Sequence, residues 1–246
     1  SPVDCIFLDP ARRNEHGGKT VAISDCEPNV AKLEGLLLSK ANRIMIKLSP
    51  MLDLSQALKE LPHTQEVHII SVNNECKELL LLLGQTAPEE IPVHCVNLST
   101  KGEQEKQLFV FTREQEQHSE CSYTDTLGNY LYEPNASLLK AGAFRSIAAA
   151  YSVKKLHPNS HLYTSETQIE GFPGRTFRII NRCSLNKKEI KENLSDLKKA
   201  NITVRNFPAT VAELRKRIKL AEGGDTYLFA STLNDGQKIL IRCGKV

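Results

Sequence analysis

The segment DPARR, residues 9–13, places residue types that could do chemistry at a suitable point of the chain. It follows the apolar run 3–8, which predicts a buried parallel strand, and α/β sheets bind ligands beyond the carboxyl ends of their strands. Pro10 fixes the backbone, so the Asp9 carboxylate would project in a defined direction. Arg12 and Arg13 can pair with a phosphate or a carboxylate, but an ordinary strand end with surface charge would show the same residues.

The first 112 residues supply the elements that would position this segment. Strand and helix patterns alternate there, and the last two strands read as an antiparallel hairpin, so we predict a mostly parallel α/β sheet. Asn29 can begin the first helix and Asp53 the second, while Asn73 or Asn74 would begin a third that ends at Leu83. The predicted strands are 3–8, 43–48, 66–72, 93–98 and 107–112, and the predicted helices are 29–40, 53–61 and 73–83.

This sheet looks incomplete. Only two residues precede the first strand, and the sequence contains no G-x-G-x-x-G loop for a dinucleotide-like cofactor. A parallel strand that begins at residue 3 would also be an unprotected sheet edge. We therefore expect the chain to be the C-terminal part of a longer protein.

The remaining residues predict a linker with a middle region and a small α+β domain. Residues 113–175 begin polar and turn-rich, and Asn135 can cap a helix from 136 to about 151. Residues 176–246 read as βαβαββ, with a capping box at Thr210 and a hairpin signal at 234–236. The predicted elements are strand 176–183, helix 186–200, strand 202–207, helix 210–220 and strands 226–232 and 238–243. We therefore predict three regions: 1–112, 113–175 and 176–246.

Positive charge is concentrated in the last region. The net charge is −4 in residues 1–112, −1 in 113–175 and +8 in 176–246, which gives +3 overall. A basic segment behind an acidic body is typical of a module that binds a polyanion, although a solvated helix surface has the same composition. The basic residues concerned are Arg178, Arg182, Lys187, Lys188, Lys191, Lys198, Lys199, Arg205, Arg215, Lys216, Arg217 and Lys219.

Several segments resemble a known family. DPARR, followed by HGGK at 16–19, resembles the fourth motif of class I S-adenosylmethionine-dependent methyltransferases that modify nucleic acids. Together with YEPN at 132–135, KAGAF at 140–144, LYTS at 162–165 and FPGR at 172–175, it resembles a bacterial family frequent in Bacteroidetes. That family combines a Rossmann-like methyltransferase domain with a ferredoxin-like middle region and a THUMP-like C-terminal domain. The resemblance covers essentially the whole chain and implies a preceding half-domain with the glycine-rich cofactor loop, so we expect this chain alone to be inactive.

The resemblance also implies roles for individual residues. Asp9, Pro10, Ala11 and Arg12 match the loop between methyl donor and acceptor, where Asp9 would orient or deprotonate the target. Arg13 matches the family's own variant of that loop and would steer the acceptor. Lys47 and Ser49, at the end of the next strand, would line the same cleft. The THUMP-like domain implies that the basic residues of 176–246 hold structured RNA.

Other site classes find little support. The seven histidines do not cluster, and none shows i, i+4 spacing on a predicted helix, since His157 and His161 flank a proline. We therefore predict no metal site. Seven cysteines without a C-x-x-C pair argue against a disulfide framework, and we interpret Cys5 and Cys26 as structural. The longest apolar run, 79–83, is too short to span a membrane, and we expect a cytoplasmic protein without membrane contact.

We therefore predict part of an S-adenosylmethionine-dependent methyltransferase that acts on a base in tRNA or rRNA. A non-catalytic RNA-binding or ribosome-associated protein on a degenerate methyltransferase scaffold is the main alternative. Methylation of a protein or a small molecule is a third. The nucleotide, the methylated atom and the oligomeric state do not follow from the sequence.

Overall fold

The structure, a computed structural model, describes residues 3–12, 22–100 and 106–246. The chain divides into two compact units. The first contains residues 1–118 and 135–143, and the second contains residues 119–134 and 144–246. No helix in the described part of the chain is long and apolar enough to cross a membrane.

The first unit is built on a six-stranded sheet. The elements are β1 (Val3–Leu8), β2 (Ala11–Arg12), β3 (Cys26–Glu27), α1 (Val30–Leu38), β4 (Ala41–Leu48), α2 (Leu54–Glu60), β5 (Thr64–Val72), β6 (Glu75–Leu83), β7 (Pro92–Leu98), β8 (Lys106–Thr112), α3 (Arg113–His118) and α4 (Ala136–Ala141). The strand order in the sheet is β1-β4-β6-β5-β7-β8. The side chains of Asn29 and Asp53 cap α1 and α2 as predicted.

The helix predicted from Asn73 or Asn74 to Leu83 is wrong, because this segment forms β6. Asn73 and Asn74 have φ values of 50° and 64°, and such left-handed pairs form the tight turns that join hairpin strands. In β6, the buried residues Leu79, Leu81 and Leu83 alternate with half-buried neighbours, which is the period of a strand. A short continuous leucine run does not distinguish a helix from a strand by periodicity alone.

The expectation of a mostly parallel sheet is also wrong, because the segment expected to form a helix adds the antiparallel strand β6 to the sheet. β1 pairs with β4 and β5 with β7 in parallel, whereas β6 runs antiparallel to both β4 and β5. β7 and β8 form the predicted antiparallel hairpin. β1 was expected to be buried, but it lies at the sheet edge, where Phe7 is 58% exposed.

The two faces of this sheet differ. α1 packs against β4 and α4 packs against β5, β6 and β7, over a fully buried layer that includes Ile46, Ile69 and Leu81. We call the opposite side the outer face. One row of consecutive register partners on it crosses five strands and consists of Lys47, Leu80, His68, His94 and Val110.

The second unit is built on a seven-stranded sheet. Its elements are β9 (Tyr130–Pro134), α5 (Phe144–Ala150), β10 (Lys154–Lys155), β11 (Tyr163–Ser165), β12 (Gly174–Cys183), α6 (Lys187–Leu194), β13 (Asn201–Val204), α7 (Val211–Ile218), β14 (Thr226–Thr232) and β15 (Lys238–Lys245). The strand order in the sheet is β10-β11-β9-β12-β15-β14-β13. β12 to β15 show the predicted βαβαββ order with a β14–β15 hairpin, and their sheet continues into β9.

Two predicted helices are shorter than expected. The helix expected from 136 to about 151 is interrupted at Gly142, whose φ of 76° ends α4 before α5 begins. The helix expected over 186–200 ends at Leu194. Leu138 before the first break, Ile147 after it and Ala200 after the second are all buried.

The C-terminal sheet is covered by apolar residues on both sides. On one side, Leu194 of α6 and Leu214 of α7 pack with Cys183, Leu228 and Leu240. The other side carries a second cluster, formed by Leu131, Leu156, Leu162, Phe177, Phe229, Leu233, Ile239, Ile241 and Cys243. The capping box predicted at Thr210 is present, with Glu213 completing it.

Candidate functional site

Asp9 and Lys47 meet at the carboxyl ends of two neighbouring parallel strands. Asp9 follows β1, and Lys47 is the last residue but one of β4. Because β1 and β4 are paired in parallel, the two side chains reach the same end of the sheet, and Lys47 Nζ lies 2.6 Å from Asp9 Oδ2. They line a cavity of about 340 Å³ together with Pro10, Ala11 and Ser49. The structure thus brings together the predicted residues of the first and second strand ends.

Glu78 of β6 is a third charged residue of this cavity. Its Oε2 lies 3.9 Å from Lys47 Nζ. The pKa of Lys47 is raised above its usual value, first by the hydrogen bond to Asp9. Desolvation opposes this shift, and the charges of Glu78 and Asp9 raise the pKa further. The predicted site did not include Glu78, because a helix was expected over 73–83. The continuous leucine run 79–83 has no period by which a strand could have been recognised, so no local signal indicated Glu78.

The loop after β4 is held by a network of hydrogen bonds. The Met51 amide donates to Ser49 Oγ at 3.2 Å, and the Leu52 amide donates to the Ser49 carbonyl oxygen at 3.1 Å. Lys140 of α4 donates to the Leu52 carbonyl oxygen at 2.6 Å. Because α4 packs on the same sheet, it braces the loop that carries Ser49.

DPARR also contains Arg12 and Arg13. The backbone of Arg12 lies in β2, where it pairs with Cys26 of β3. Arg13 and the HGGK segment lie outside the described residues. Their predicted roles therefore stay predictions.

Most of the predicted RNA-contacting residues lie on or near α6 and α7. The exposed lysines are Lys187, Lys188, Lys191, Lys198, Lys199, Lys216 and Lys219. The Lys188 side chain is 83% exposed, and its Nζ lies 4.0 Å from Oε1 of Glu192 on the next turn. Because both helices pack on the same side of the sheet, their lysines can contribute to one basic surface, which we call the helical surface.

Three of the predicted arginines also make hydrogen bonds within the second unit. Arg205 donates to the buried carboxylate of Glu133 at 2.8 Å. Arg215 donates to the Ala200 carbonyl oxygen at 3.2 Å, and Arg217 donates to that of Leu185 at 2.8 Å. These bonds stabilise the ends of β13, α6 and α7, and the predicted roles of the three arginines in RNA binding stay predictions.

A β-bulge separates Arg178 from Arg182. Arg178 is in register with Gly244, but a register shift between Ile179 and Asn181 places Arg182 opposite Ile241. Ile241 belongs to the cluster on the side away from α6 and α7. Arg178 therefore lies on the side of the helical surface and Arg182 on the opposite side, although residues four apart share a face in a regular strand.

The segments YEPN and FPGR meet at Glu133. This carboxylate is 2% exposed, and it binds the guanidinium groups of Arg175 and Arg205, which are each more than one-third exposed. The Arg175 guanidinium also lies over the ring of Phe177, 5.3 Å from its centroid. Glu133 thus connects β9, β12 and the end of β13. The segments YEPN and FPGR therefore contribute to the structure of this sheet.

Comparisons with known proteins place these features in context. Residues 130–173 match a family model described as a ferredoxin-like domain, and residues 174–245 match one described as THUMP domain-like. The chain is also similar to the crystal structure of a proposed methyltransferase from Porphyromonas gingivalis W83, with 41% sequence identity and a TM-score of 0.89. That match covers 99% of this chain and 60% of the other, so the chain spans about three-fifths of that protein. A search of curated proteins found no match.

Proposed function

We propose that this chain is the acceptor-binding part of a methyltransferase that transfers a methyl group from S-adenosylmethionine to a base in structured RNA, tRNA or rRNA. The observation that carries the proposal is the Asp9–Lys47 pair in a cavity at the strand ends, in a chain 41% identical to a proposed methyltransferase. The carboxyl ends of parallel strands are where open α/β sheets bind their ligands. The THUMP-like match over 174–245 supports RNA as the substrate class.

Asp9 would act by orienting the acceptor. The Lys47 ammonium donates to Asp9 Oδ2 and fixes the direction of the carboxylate, so Oδ1 would accept a hydrogen bond from the amino group of a target base. Holding the nucleophile and the methyl group in line contributes to catalysis by removing orientational freedom before the reaction. Asp9 would also take up the proton that the methylated amine loses.

The residues of the cavity are compatible with S-adenosylmethionine nearby. This cofactor would supply an electrophilic methyl group on a positively charged sulfonium. Asp9, Lys47, Lys77 and Glu78 all line the cavity and their charges balance, so no net positive charge opposes a cation beside it. The glycine-rich loop and the acidic ribose-binding residue that the family resemblance implies have no counterpart in this sequence. This chain would therefore contribute the acceptor side of the site.

The helical surface would hold the RNA. Its lysines are exposed, and phosphate contacts by lysine and arginine provide most of the sequence-independent affinity for nucleic acid. The helices α6 and α7 belong to the second unit and Asp9 to the first, so binding and chemistry are assigned to separate units.

Radiolabelled S-adenosylmethionine offers a direct test on the protein that contains this chain. The protein is incubated with bulk RNA and bulk protein from cells that lack its gene. We expect label in a discrete RNA band, loss of that label in Asp9→Asn, and unchanged RNA binding by Asp9→Asn. Asp4→Asn, an exposed change on β1, is the matched control and should retain activity.

The other outcomes separate the alternatives. Label in protein would reassign the substrate class. No label, together with no binding of the cofactor, would favour an RNA-binding protein on a degenerate scaffold. An equal loss of RNA binding in Asp9→Asn would contradict the division between chemistry and binding.

A further inference from the structure

Three side chains with metal-binding atoms meet on the outer face, outside the Asp9 cavity. His68 of β5 and His94 of β7 are register partners in adjacent parallel strands. Glu66 lies two residues before His68 and therefore on the same face. A register shift between Thr64 and Glu66 precedes them, so that Thr64 is buried while Glu66 is directed outward. The spacing of these residues along the chain does not indicate the group.

The three side chains are already close to one another. Glu66 Oε2 lies 3.1 Å from His68 Nε2, and the imidazole rings of His68 and His94 are stacked with their centroids 4.4 Å apart. One ligand atom from each of the three residues lies within 4.8 Å of the other two. Two imidazole nitrogens and one carboxylate oxygen therefore converge from neighbouring strands.

Apolar side chains flank the two histidines. All three residues of the group are half-buried, and the row places Leu80 beside His68 and Val110 beside His94.

We propose that Glu66, His68 and His94 form a binding site for one zinc ion, with water as the fourth ligand. Two imidazoles and a carboxylate suit a borderline divalent ion such as zinc better than calcium or magnesium, which prefer oxygen ligands alone. Three protein ligands and an open position are also the coordination of reactive zinc sites. Bound zinc would connect β5 to β7 across their parallel pairing.

Binding would require a small movement of the side chains. Ligand atoms about 2.0–2.1 Å from a tetrahedral zinc ion lie about 3.4 Å from one another. The separations of up to 4.8 Å must therefore shorten, and one stacked ring must rotate so that the two nitrogens point to a common centre. His68 and Glu66 have the exposure that permits this, at 27% and 45% of their side chains.

The site is distinct from the Asp9 cavity. Lys47 and His68 flank Leu80 in the same row, two strands apart, which corresponds to about 10 Å between backbones. The inference therefore goes beyond the proposed methyltransferase function and does not depend on it.

Zinc binding to the full chain provides the test. The metal-free protein is titrated with Zn²⁺ against a chromophoric chelator, and with Co²⁺ to identify the ligands from its visible spectrum. We expect one ion bound through nitrogen and oxygen, without the thiolate-to-cobalt absorption that a cysteine site would add. His68→Ala and His94→Ala should each weaken binding by at least about tenfold, the size of effect that even outer-shell residues have.

Two controls keep the result interpretable. His118→Ala removes an exposed histidine from α3 and should bind zinc as the wild type does. His94→Gln retains a polar side chain of similar size, so a loss of binding with unchanged thermal unfolding would report the ligand itself. Absence of a stoichiometric ion in the wild type, or equal affinity in both alanine variants and the wild type, would overturn the proposal.

Discussion

The ammonium group of Lys140 lies 2.6 Å from the carbonyl oxygen of Leu52, 88 residues earlier in the chain. Leu52 belongs to the loop that follows β4 and carries Ser49, one of the residues that line the Asp9 cavity. Asp53, the next residue, caps α2 by accepting from the Gln56 amide at 2.8 Å. The KAGAF segment thus contributes to the first unit by bracing a loop of the candidate site.

Removing this brace should loosen the loop. We expect Lys140→Met to lower the free energy of unfolding by about 1–2 kcal/mol, since hydrogen bonds to charged groups contribute somewhat more than neutral ones. Amide hydrogen exchange at residues 51–53 should accelerate more than the global change explains. Lys59→Met, an exposed change on α2, is the control and should leave both quantities unchanged. Unaltered exchange in Lys140→Met would show that the loop does not depend on this contact.

Glu133 should be more important for stability than either arginine that binds it. Its buried carboxylate accepts from both Arg175 and Arg205, so Glu133→Gln removes two charge-assisted interactions. We expect a loss of about 2–3 kcal/mol, whereas Arg205→Gln should cost about 1 kcal/mol because Arg175 remains. Denaturant unfolding of the two variants measures the difference. A larger effect of Arg205→Gln would contradict this order.

His161 should make the second unit less stable in acid. Burial, followed by the charges of Lys155 and Arg205, lowers the pKa of His161 from 6.5 to about 4. Its ring stacks on the ring of Phe144, with the two centroids 3.6 Å apart. Its Nδ1 is buried without a hydrogen-bond partner among the described residues. The unfolded chain therefore takes up a proton that the folded unit excludes. The contribution is complete above pH 6.5, and up to about 3 kcal/mol is lost as the pH falls towards 4.

Unfolding experiments at pH 7 and pH 4.5 can isolate this effect. His161→Asn should show a smaller loss of stability between the two pH values, because asparagine does not titrate and tolerates the φ of 52° at this position. Carboxylates titrate equally in both proteins and cancel in the comparison. An exposed histidine replacement, His118→Asn, should retain the wild-type loss. An identical pH response of His161→Asn and wild type would refute the prediction.

Arg178 and Arg182 provide a matched pair for RNA binding. Both are exposed on β12. The bulge between them leaves Arg178 on the side of the helical surface and places Arg182 on the opposite side. We expect Arg178→Gln to weaken RNA binding and to reduce the salt slope by about 0.7–0.9 for each phosphate that the arginine neutralises. Arg182→Gln should change neither quantity. Equal effects of the two changes in fluorescence anisotropy titrations would show that the helical surface is not the binding face.

The local parts of the fold follow from short-range physics. Asn29, Asp53, Asn135 and Thr210 cap helices in the structure because each side chain can satisfy a backbone amide near it in sequence. The turn at Asn234 to Gly236 joins β14 to β15, as the local sequence predicts, because Gly236 readily adopts the φ of 88° that the turn requires. The Asp9 segment also lies at the predicted strand end.

The secondary structure predicted from the sequence was wrong for a segment whose pattern fits both a helix and a strand. The run Leu79–Leu83 satisfies either a buried helix or a buried strand, and pairing with β4 and β5 on both sides selects the strand. With β6 in place, Glu78 reaches Lys47. No property of residues 73–83 in isolation distinguishes these outcomes, because the deciding hydrogen bonds come from other strands.

The sequence by itself determined the cap residues, most strands, the βαβαββ tail and the position of Asp9 after a strand. These depend on interactions between residues a few positions apart. Only the tertiary structure decided that Asp9 binds Lys47, that Glu133 joins Arg175 to Arg205, and that His68 faces His94. Strand order and register bring these residues together, and both arise from hydrogen bonds and burial between segments far apart in the chain.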